Sequence, residues 1–342
     1  MAEQSEASLE RLPPTRVGVG WPAWAARPLG LRRRKGAVAI LAVAFAVAAL
    51  WITLSADFLA HPGWLAVQKA DLILGPIGVG LYWRHRRPDN RLGLFLIVLG
   101  LLGIVYILQS MTVPILFGIG ILVENAIYLM TEVVILAFPN GRLDGIPERM
   151  ILVGALLVSL AGVVLTLTSP HLAPEGSISG CRAVCPANGL AIWSPPSWAA
   201  QLNDFSRVSI VAVALATAGL LCWRFLTGST PRRRALAIGT PVALIFLLTQ
   251  AAYNTLSLLS SSSPSAQPVQ DAIQWTFAGA RAAIWYGFLL ALFAAELFAG
   301  RALRELVSNS LGRPSVRELE GMLRRPLDDP GLRLGFWRAG TR

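Results

Sequence analysis

The sequence contains few charged residues. Asp, Glu, Lys and Arg make up 14% of its 342 residues, whereas hydrophobic residues make up 54%. A typical soluble domain is about 25% charged. So low a charged fraction excludes an ordinary soluble domain and indicates a protein that crosses a membrane several times.

Residues that bind metals or carry catalysis are scarce as well. The chain has three His and three Cys, and His61, His85 and His171 all lie in or beside predicted loops. An intramembrane enzyme would need clustered His, Asp or Glu on facing helices, and structural zinc takes four ligands. We therefore assign no catalytic residue, no metal site and no cofactor.

Long apolar stretches are what the sequence has instead. Each is close to the roughly 20 residues that an α-helix needs to cross a bilayer. They predict an all-α, polytopic membrane helix bundle with about eight transmembrane helices. The stretches are 36–55, 62–83, 92–110, 113–138, 150–168, 207–226, 235–256 and 275–299.

The positions of the basic residues predict the orientation of the bundle. Lys and Arg are enriched in cytoplasmic segments of membrane proteins. With a cytoplasmic N-terminus, 26 of the 30 Lys and Arg fall on the cytoplasmic side and both termini are cytoplasmic. The net charge of +11 is spread over loops, which favours membrane lipids as partners over nucleic acid. Arg supplies 28 of the 30, which is typical of a GC-rich bacterium, so we expect a multi-pass protein of the bacterial plasma membrane.

Composition divides the chain into three parts. We expect a basic, disordered cytoplasmic arm over 1–35 and the transmembrane bundle over 36–300, with a long outer loop at 169–206. Residues 301–342 are more polar and predict a cytoplasmic linker followed by the start of an incomplete soluble domain. A capping box precedes an apolar helical stripe there, and a short alternating, strand-like segment follows.

Cys181 and Cys185 lie in the predicted outer loop. Disulfides persist in oxidising compartments such as the outer side of a plasma membrane. The two residues are therefore a candidate disulfide, and two free thiols are the alternative.

Glu124 lies near the middle of the fourth predicted span, with Asn125 beside it. Ionisable residues inside a membrane are costly and mark functional sites. Gln250 and Asn254, one helical turn apart, could supply hydrogen-bond partners. These four residues form the candidate intramembrane polar site, although a hydrogen-bonded Glu that only joins helices is the structural alternative.

Two other charged residues lie near the ends of their predicted spans. Arg281 precedes Arg301 by 20 residues, one full bilayer crossing, and is therefore expected at the membrane interface. Glu132 lies close enough to the cytoplasmic end of its helix for the side chain to reach water.

Small residues recur every four positions along the last predicted helix. Such a stripe lets membrane helices approach closely, and this helix leads directly into the cytoplasmic tail. The alternative is chance in an Ala-rich chain. The candidate helix-packing stripe is Gly279, Ala283, Gly287, Ala291 and Ala295.

Several loop segments resemble one protein family. The runs RRPDNRLGLFLIVLGLLG, LAFPNGRLDGIPER and PRRRALAIGTP are similar to the membrane-sensing N-terminal half of actinobacterial-type two-component sensor histidine kinases. The segment 323–337 resembles the point where such kinases enter their cytoplasmic half. The matching tail positions are Asp329, Pro330, Leu332, Leu334 and Trp337.

The resemblance implies a sensor or anchor module for signal transduction, passing a stimulus through the last helix to a cytoplasmic output. It implies a homodimer, or a separate kinase or response-regulator partner. The phospho-accepting His and the ATP-binding domain of the family are missing from this sequence, so we do not expect autophosphorylation. A small-solute transporter is the alternative function, although we find neither internal repeats nor more than one candidate helix break, at Gly75-Pro76.

Overall fold

The computed structural model describes residues 29–143, 145–171, 180–182, 184–192, 196–228, 233, 236–259, 267–310 and 333. These residues contain eight helices long and apolar enough to cross a membrane, and no strand. The predicted all-α bundle of about eight spanning helices is confirmed. The helices are α1 (Leu29–Leu54), α2 (Pro62–Arg86), α3 (Leu92–Tyr106), α4 (Pro114–Ala137), α5 (Ile146–Thr168), α6 (Ala199–Thr227), α7 (Gly239–Leu259) and α8 (Gln267–Ser310), with a 3-10 turn (Ile107–Ser110) closing α3.

Helices α2 to α8 form a closed ring within the compact unit of residues 41–342. Each helix packs against the next one in the chain, and α8 packs back against α2. Lipid gives apolar helices no hydrophobic reason to associate, so close packing of small residues has to hold them together. At the α2–α3 contact, a Cβ on Gly80 would lie only 2.7 Å from the carbonyl oxygen of Gly93.

The second half of α1 packs through a stripe of small residues. Ala42, Ala46, Ala49 and Thr53 recur at helical spacing and are all at most 3% exposed. The Thr53 hydroxyl lies 3.0 Å from the hydroxyl of Ser110 in the 3-10 turn. This hydrogen bond joins the end of α1 to the 3-10 turn between α3 and α4.

Consecutive helices run in opposite directions, so the links collect at two ends of the ring. We call the end with links 87–91 and 138–143 the basic end. There the Asn90 amide donates to the carbonyl oxygen of Pro139 at 2.9 Å, and its oxygen accepts from the Leu92 amide at 2.8 Å. Gly141 has a φ of +71° and no room for a side chain beside Asn90, so the two links form one packed unit.

The opposite end, which we call the loop end, carries links 55–61 and 111–113 and the described parts of 169–198. Cys181 and Cys185 are joined by a disulfide there, with their Cα atoms 5.4 Å apart. Asn188 is 4% exposed and donates to the carbonyl oxygens of Thr166 and Ser169. The loop is thereby anchored on the end of α5.

Several helices are longer than their apolar stretches. Helix α6 begins at Ala199, so the long loop ends at residue 198 and not at 206. Helix α1 begins at Leu29, seven residues before the predicted span starts at 36. A hydropathy search stops at polar residues, whereas a helix continues until the backbone is interrupted. The rest of the predicted arm, and the helix and strand predicted in the tail, lie outside the described residues.

The charge asymmetry predicts which end of the ring faces the cytoplasm. In a Cys222→Ala background, cysteines at the exposed positions 88 and 142 of the basic end should resist a membrane-impermeant maleimide in intact cells. A cysteine replacing Trp198 at the loop end, where the side chain is 48% exposed, should react. All three should react after permeabilisation. Labelling at 88 or 142 in sealed cells would contradict the assigned orientation.

Candidate functional site

The ring encloses a cavity of about 540 Å³. Its walls come from α2, α4, α5, α6, α7 and α8, and they combine aromatic side chains such as Phe246 and Phe277 with many polar ones. Sites for small molecules usually measure about 300–1,000 Å³. The larger polar side chains of the lining are Gln68, Glu124, Asn125, Tyr128, Glu132, Asn203, Arg207, Gln250, Tyr253, Asn254, Gln274 and Arg281.

All four residues of the predicted intramembrane polar site line this cavity. Glu124 and Asn125 reach it from α4, and Gln250 and Asn254 from α7. Their side chains come from helices separated by more than 100 residues in sequence. The structure therefore brings the predicted set into one site.

Glu124 is held by hydrogen bonds from the end of α3. Its carboxylate accepts from the Tyr106 hydroxyl at 3.4 Å and from the Gln109 amide at 3.2 Å. Gln109 belongs to the 3-10 turn and is 1% exposed. The turn thus positions the carboxylate at the cavity wall.

Lys69 on α2 lies near this carboxylate. The side chain is completely buried. Its ammonium donates to the Ser110 hydroxyl at 2.7 Å and lies 4.6 Å from the centre of the Tyr106 ring. Glu124 and Arg281 are both close enough to interact with it electrostatically. A buried cation needs such partners, because burial alone disfavours an isolated charge.

Arg281 reaches the cavity from α8, and its expected position at the membrane interface stays a prediction. It stands 13 residues after Pro268 and 17 before Phe298, near the middle of the apolar part of α8, and it lines the cavity. Asp71 on α2 is within its electrostatic range and accepts a hydrogen bond from Tyr286 at 2.7 Å.

Glu132 does not reach water as expected. The residue is 1% exposed, and its carboxylate accepts from the Thr217 hydroxyl on α6 at 3.1 Å. It also faces the cavity. Neighbouring helices surround the segment of α4 near the basic end that carries Glu132. They leave this side chain no direct route to the surface of the bundle.

A repeat in the sequence could have identified more of this lining. Glu124, Tyr128 and Glu132 recur every four residues on α4, as do Asn203 and Arg207 on α6. Residues four apart share a helix face, so polar residues at that spacing within an apolar span indicate an interior face. No local signal, however, shows which of these faces meet.

Within the described residues, no three His, Cys, Asp or Glu side chains lie close enough together to hold a metal ion. The polar cavity can instead hold water or a small polar molecule, since its walls supply both hydrogen-bonding and apolar surfaces. Searches for related proteins find no matching family model, no matching curated protein and no matching solved structure.

Proposed function

We propose that the chain is the sensing half of a membrane signalling protein. A small molecule in the ring cavity would change the position of α8, and α8 would carry that change to a cytoplasmic output. The likeness of its loop segments to the membrane half of sensor histidine kinases supports this proposal. The output would be a kinase core or response regulator, reached through residues 301–342 in a homodimer or in a separate partner chain at the bacterial plasma membrane.

The observation that carries the proposal is the continuity of α8. Gln274 and Arg281 on this helix line the cavity. The apolar segment of the same helix ends at Phe298, and the helix continues to Ser310. At 1.5 Å per residue, those twelve residues extend about 18 Å beyond that segment. One rigid element thus connects the cavity with the segment that leads to the tail.

Helix α8 is packed tightly against its neighbours around Gly287 and Phe288. A Cβ on Gly287 would lie 3.2 Å from the Val242 side chain on α7. Phe288 is 1% exposed and stacks on Phe138, with ring centres 4.4 Å apart. Packed interfaces of this kind shift between discrete arrangements and do not deform continuously. A ligand would favour one arrangement only by binding it more tightly than the other.

The residues of the small-residue stripe on α8 differ in burial. Gly287 and Ala291 are buried, whereas Gly279 and Ala283 are exposed. Gly279 has no atom within 4 Å of the position that a Cβ would take. Two glycines on the same helix, eight residues apart, therefore differ in surroundings and provide a matched pair of substitutions.

Replacing Gly287 by Leu should displace the extension of α8. The added side chain must move Val242 or the helix itself, and helix shifts of this kind are about 1–2 Å at the contact. Spin labels on cysteines at positions 88 and 304, both exposed, would report the distance between the basic end and the extension by pulsed electron paramagnetic resonance. We expect a shifted distance distribution.

The control is the same substitution at Gly279. It should leave the distance between labels 88 and 304 as it is in the parent chain, because the new side chain meets open space. If both leucine variants give the parent distribution, α8 does not transmit packing changes and the proposed mechanism is wrong.

A transporter is the second candidate, favoured by Arg281, a charged residue on α8 that lines the polar cavity. Transporters commonly bind substrates beside helices broken near the midplane. Helix α2 is continuous through Pro76, and α4 and α8 are continuous past Glu124 and Arg281. Continuous helices around the site favour sensing, and accumulation of a cavity ligand in proteoliposomes would instead support transport.

A further inference from the structure

Four buried oxygen atoms of the cavity lining have no hydrogen-bond partner among the described residues. They are the Tyr128 hydroxyl and one Glu132 carboxylate oxygen on α4, and the side-chain amide oxygens of Gln250 and Asn254 on α7. Glu132, Gln250 and Asn254 are 1%, 7% and 3% exposed. Buried polar groups in folded proteins are nearly always hydrogen-bonded. A group of them facing one cavity therefore indicates a partner inside it.

The chemistry of these atoms indicates a hydrogen-bond donor. Carboxylate and amide oxygens only accept, and a tyrosine hydroxyl can accept as well. The orientation of the Asn254 amide is supported by its nitrogen, which donates to the backbone oxygen of Gln250 at 2.9 Å. The oxygen is thus the end left for a ligand.

The directions of α4 and α7 bring these oxygens toward one another. Side chains tilt toward the N-terminus of their own helix. Helix α4 starts at the loop end and α7 at the basic end, so Glu132 leans toward the loop end while Gln250 and Asn254 lean toward the basic end. The opposite directions of α4 and α7 therefore shorten the distance, along the helix axes, between the Glu132 carboxylate and the two amide oxygens.

Charge decides which kind of donor fits. In the described part of the chain, no Lys, Arg or His forms an ion pair with Glu132 within 4.0 Å, and its one hydrogen bond comes from Thr217. The cations at the cavity lie elsewhere. Lys69 and Arg281 share the neighbourhood of Glu124 and Asp71. Arg207 precedes Thr217 by ten residues on α6, a distance of about 15 Å along the helix. A buried carboxylate is costly without a cation, so a cationic ligand would complete the site.

Size and apolar surface favour an organic cation over a metal ion. The cavity of about 540 Å³ is far larger than an ion. Phe246 and Phe277, stacked with ring centres 5.2 Å apart, form part of its wall. Aromatic faces accept hydrocarbon groups and also attract ammonium groups.

We propose that the cavity binds a small primary amine in its protonated form. The ammonium group binds the Glu132 carboxylate and the amide oxygen of Gln250, and its hydrocarbon part lies against Phe246 and Phe277. The Asn254 amide oxygen lies one helical turn further toward the loop end and extends the acceptor surface there. This inference rests on the proposed function for the role of the cavity and adds the chemical class of the stimulus.

The test is saturable binding of radiolabelled phenethylamine to the full chain in nanodiscs of neutral lipid, since anionic lipid would itself attract amines. Unlabelled butylamine should displace the label. Phenethyl alcohol and phenylacetate, which lack the ammonium group, should not. Glu132→Gln should weaken binding about ten- to a hundredfold, the usual effect of losing a charged hydrogen-bond partner.

The matched control is Glu296→Gln, because Glu296 pairs with Arg86 at 3.6 Å outside the cavity. This variant should bind phenethylamine as the parent does. Absence of saturable binding, equal displacement by phenethyl alcohol, or unchanged affinity in Glu132→Gln would each overturn the amine proposal and indicate a cavity that holds water or another solute.

Measuring the distance between spin labels at positions 88 and 304 tests the proposed sensing role independently of amine binding. A shift on adding phenethylamine supports both. Saturable binding without a shift leaves the amine site standing and argues against sensing through α8. If no amine binds, the sensing proposal is still tested by comparing Gly287→Leu with Gly279→Leu.

Discussion

Replacing Arg224 by Met should lower the free energy of unfolding by about 3–5 kcal/mol, the usual cost of breaking a buried ion pair on one side. Arg224 on α6 is 7% exposed. Its guanidinium donates to the carbonyl oxygen of Leu136 at 2.9 Å and forms an ion pair with Glu148. One side chain thus joins the end of α4 and the beginning of α5 to α6.

The position of this pair explains the large effect. The Leu136 carbonyl belongs to the last turn of α4, where a cation is favoured, and Glu148 lies in the first turn of α5, where an anion is favoured. Removing the guanidinium leaves the buried carboxylate without this cation and the carbonyl without this donor. Both losses act on the same three-helix junction.

Chemical unfolding in detergent micelles would measure the change. Arg233→Met is the matched control, because Arg233 is exposed near the same end of the ring and should change stability by less than about 0.5 kcal/mol. The double variant Arg224→Met/Glu148→Met should recover much of the loss, since both charges are then absent. Equal stability of Arg224→Met and the parent would show that the pair does not hold the junction.

Replacing Gly120 by Ala should destabilise the bundle by at least about 1–3 kcal/mol, the usual range for overpacking. Gly120 on α4 faces the 3-10 turn, and a Cβ there would overlap the backbone of Gln109. A backbone cannot rotate away as a flexible side chain can. The turn would therefore move, and with it the bonds from Gln109 to Glu124 and from Lys69 to Ser110.

Gly78→Ala is the control for Gly120→Ala. Gly78 lies inside α2, is exposed, and has no atom within 4 Å of a new Cβ. Because Ala favours a helix over Gly, its effect should lie between none and a gain of about 1 kcal/mol. Gly120→Ala should lower the thermal unfolding midpoint in detergent, whereas Gly78→Ala should leave it unchanged or raise it. A loss of equal size in both would mean that the close contact with Gln109 is not what matters.

Parts of the candidate site could be predicted from the sequence because membrane burial makes polar residues conspicuous. Glu124 and Asn125 were identified by their position within an apolar stretch, and Gln250 and Asn254 by sharing one helix face. The structure places all four at one cavity. The reason is general, since a polar side chain in a spanning helix has to face the interior of the bundle.

Charged residues near helix ends were harder to interpret. Glu132 was expected to reach water, yet it is 1% exposed and lines the cavity, which Arg281 also lines. Lys69 is completely buried beside Tyr106, and nothing in its neighbouring sequence distinguishes it from a residue that reaches water. Their surroundings come from other helices, and local sequence contains no information about those neighbours.

The sequence by itself determined the helical class and the number of spanning helices, because a bilayer demands about 20 apolar residues for each crossing. Only the tertiary structure decided that α2 to α8 close into a ring and that α8 packs against α2. That contact joins segments about 200 residues apart, and it depends on how small and aromatic side chains fit together across helices. The cavity exists because the ring closes, so its complete lining could not be read from any single segment.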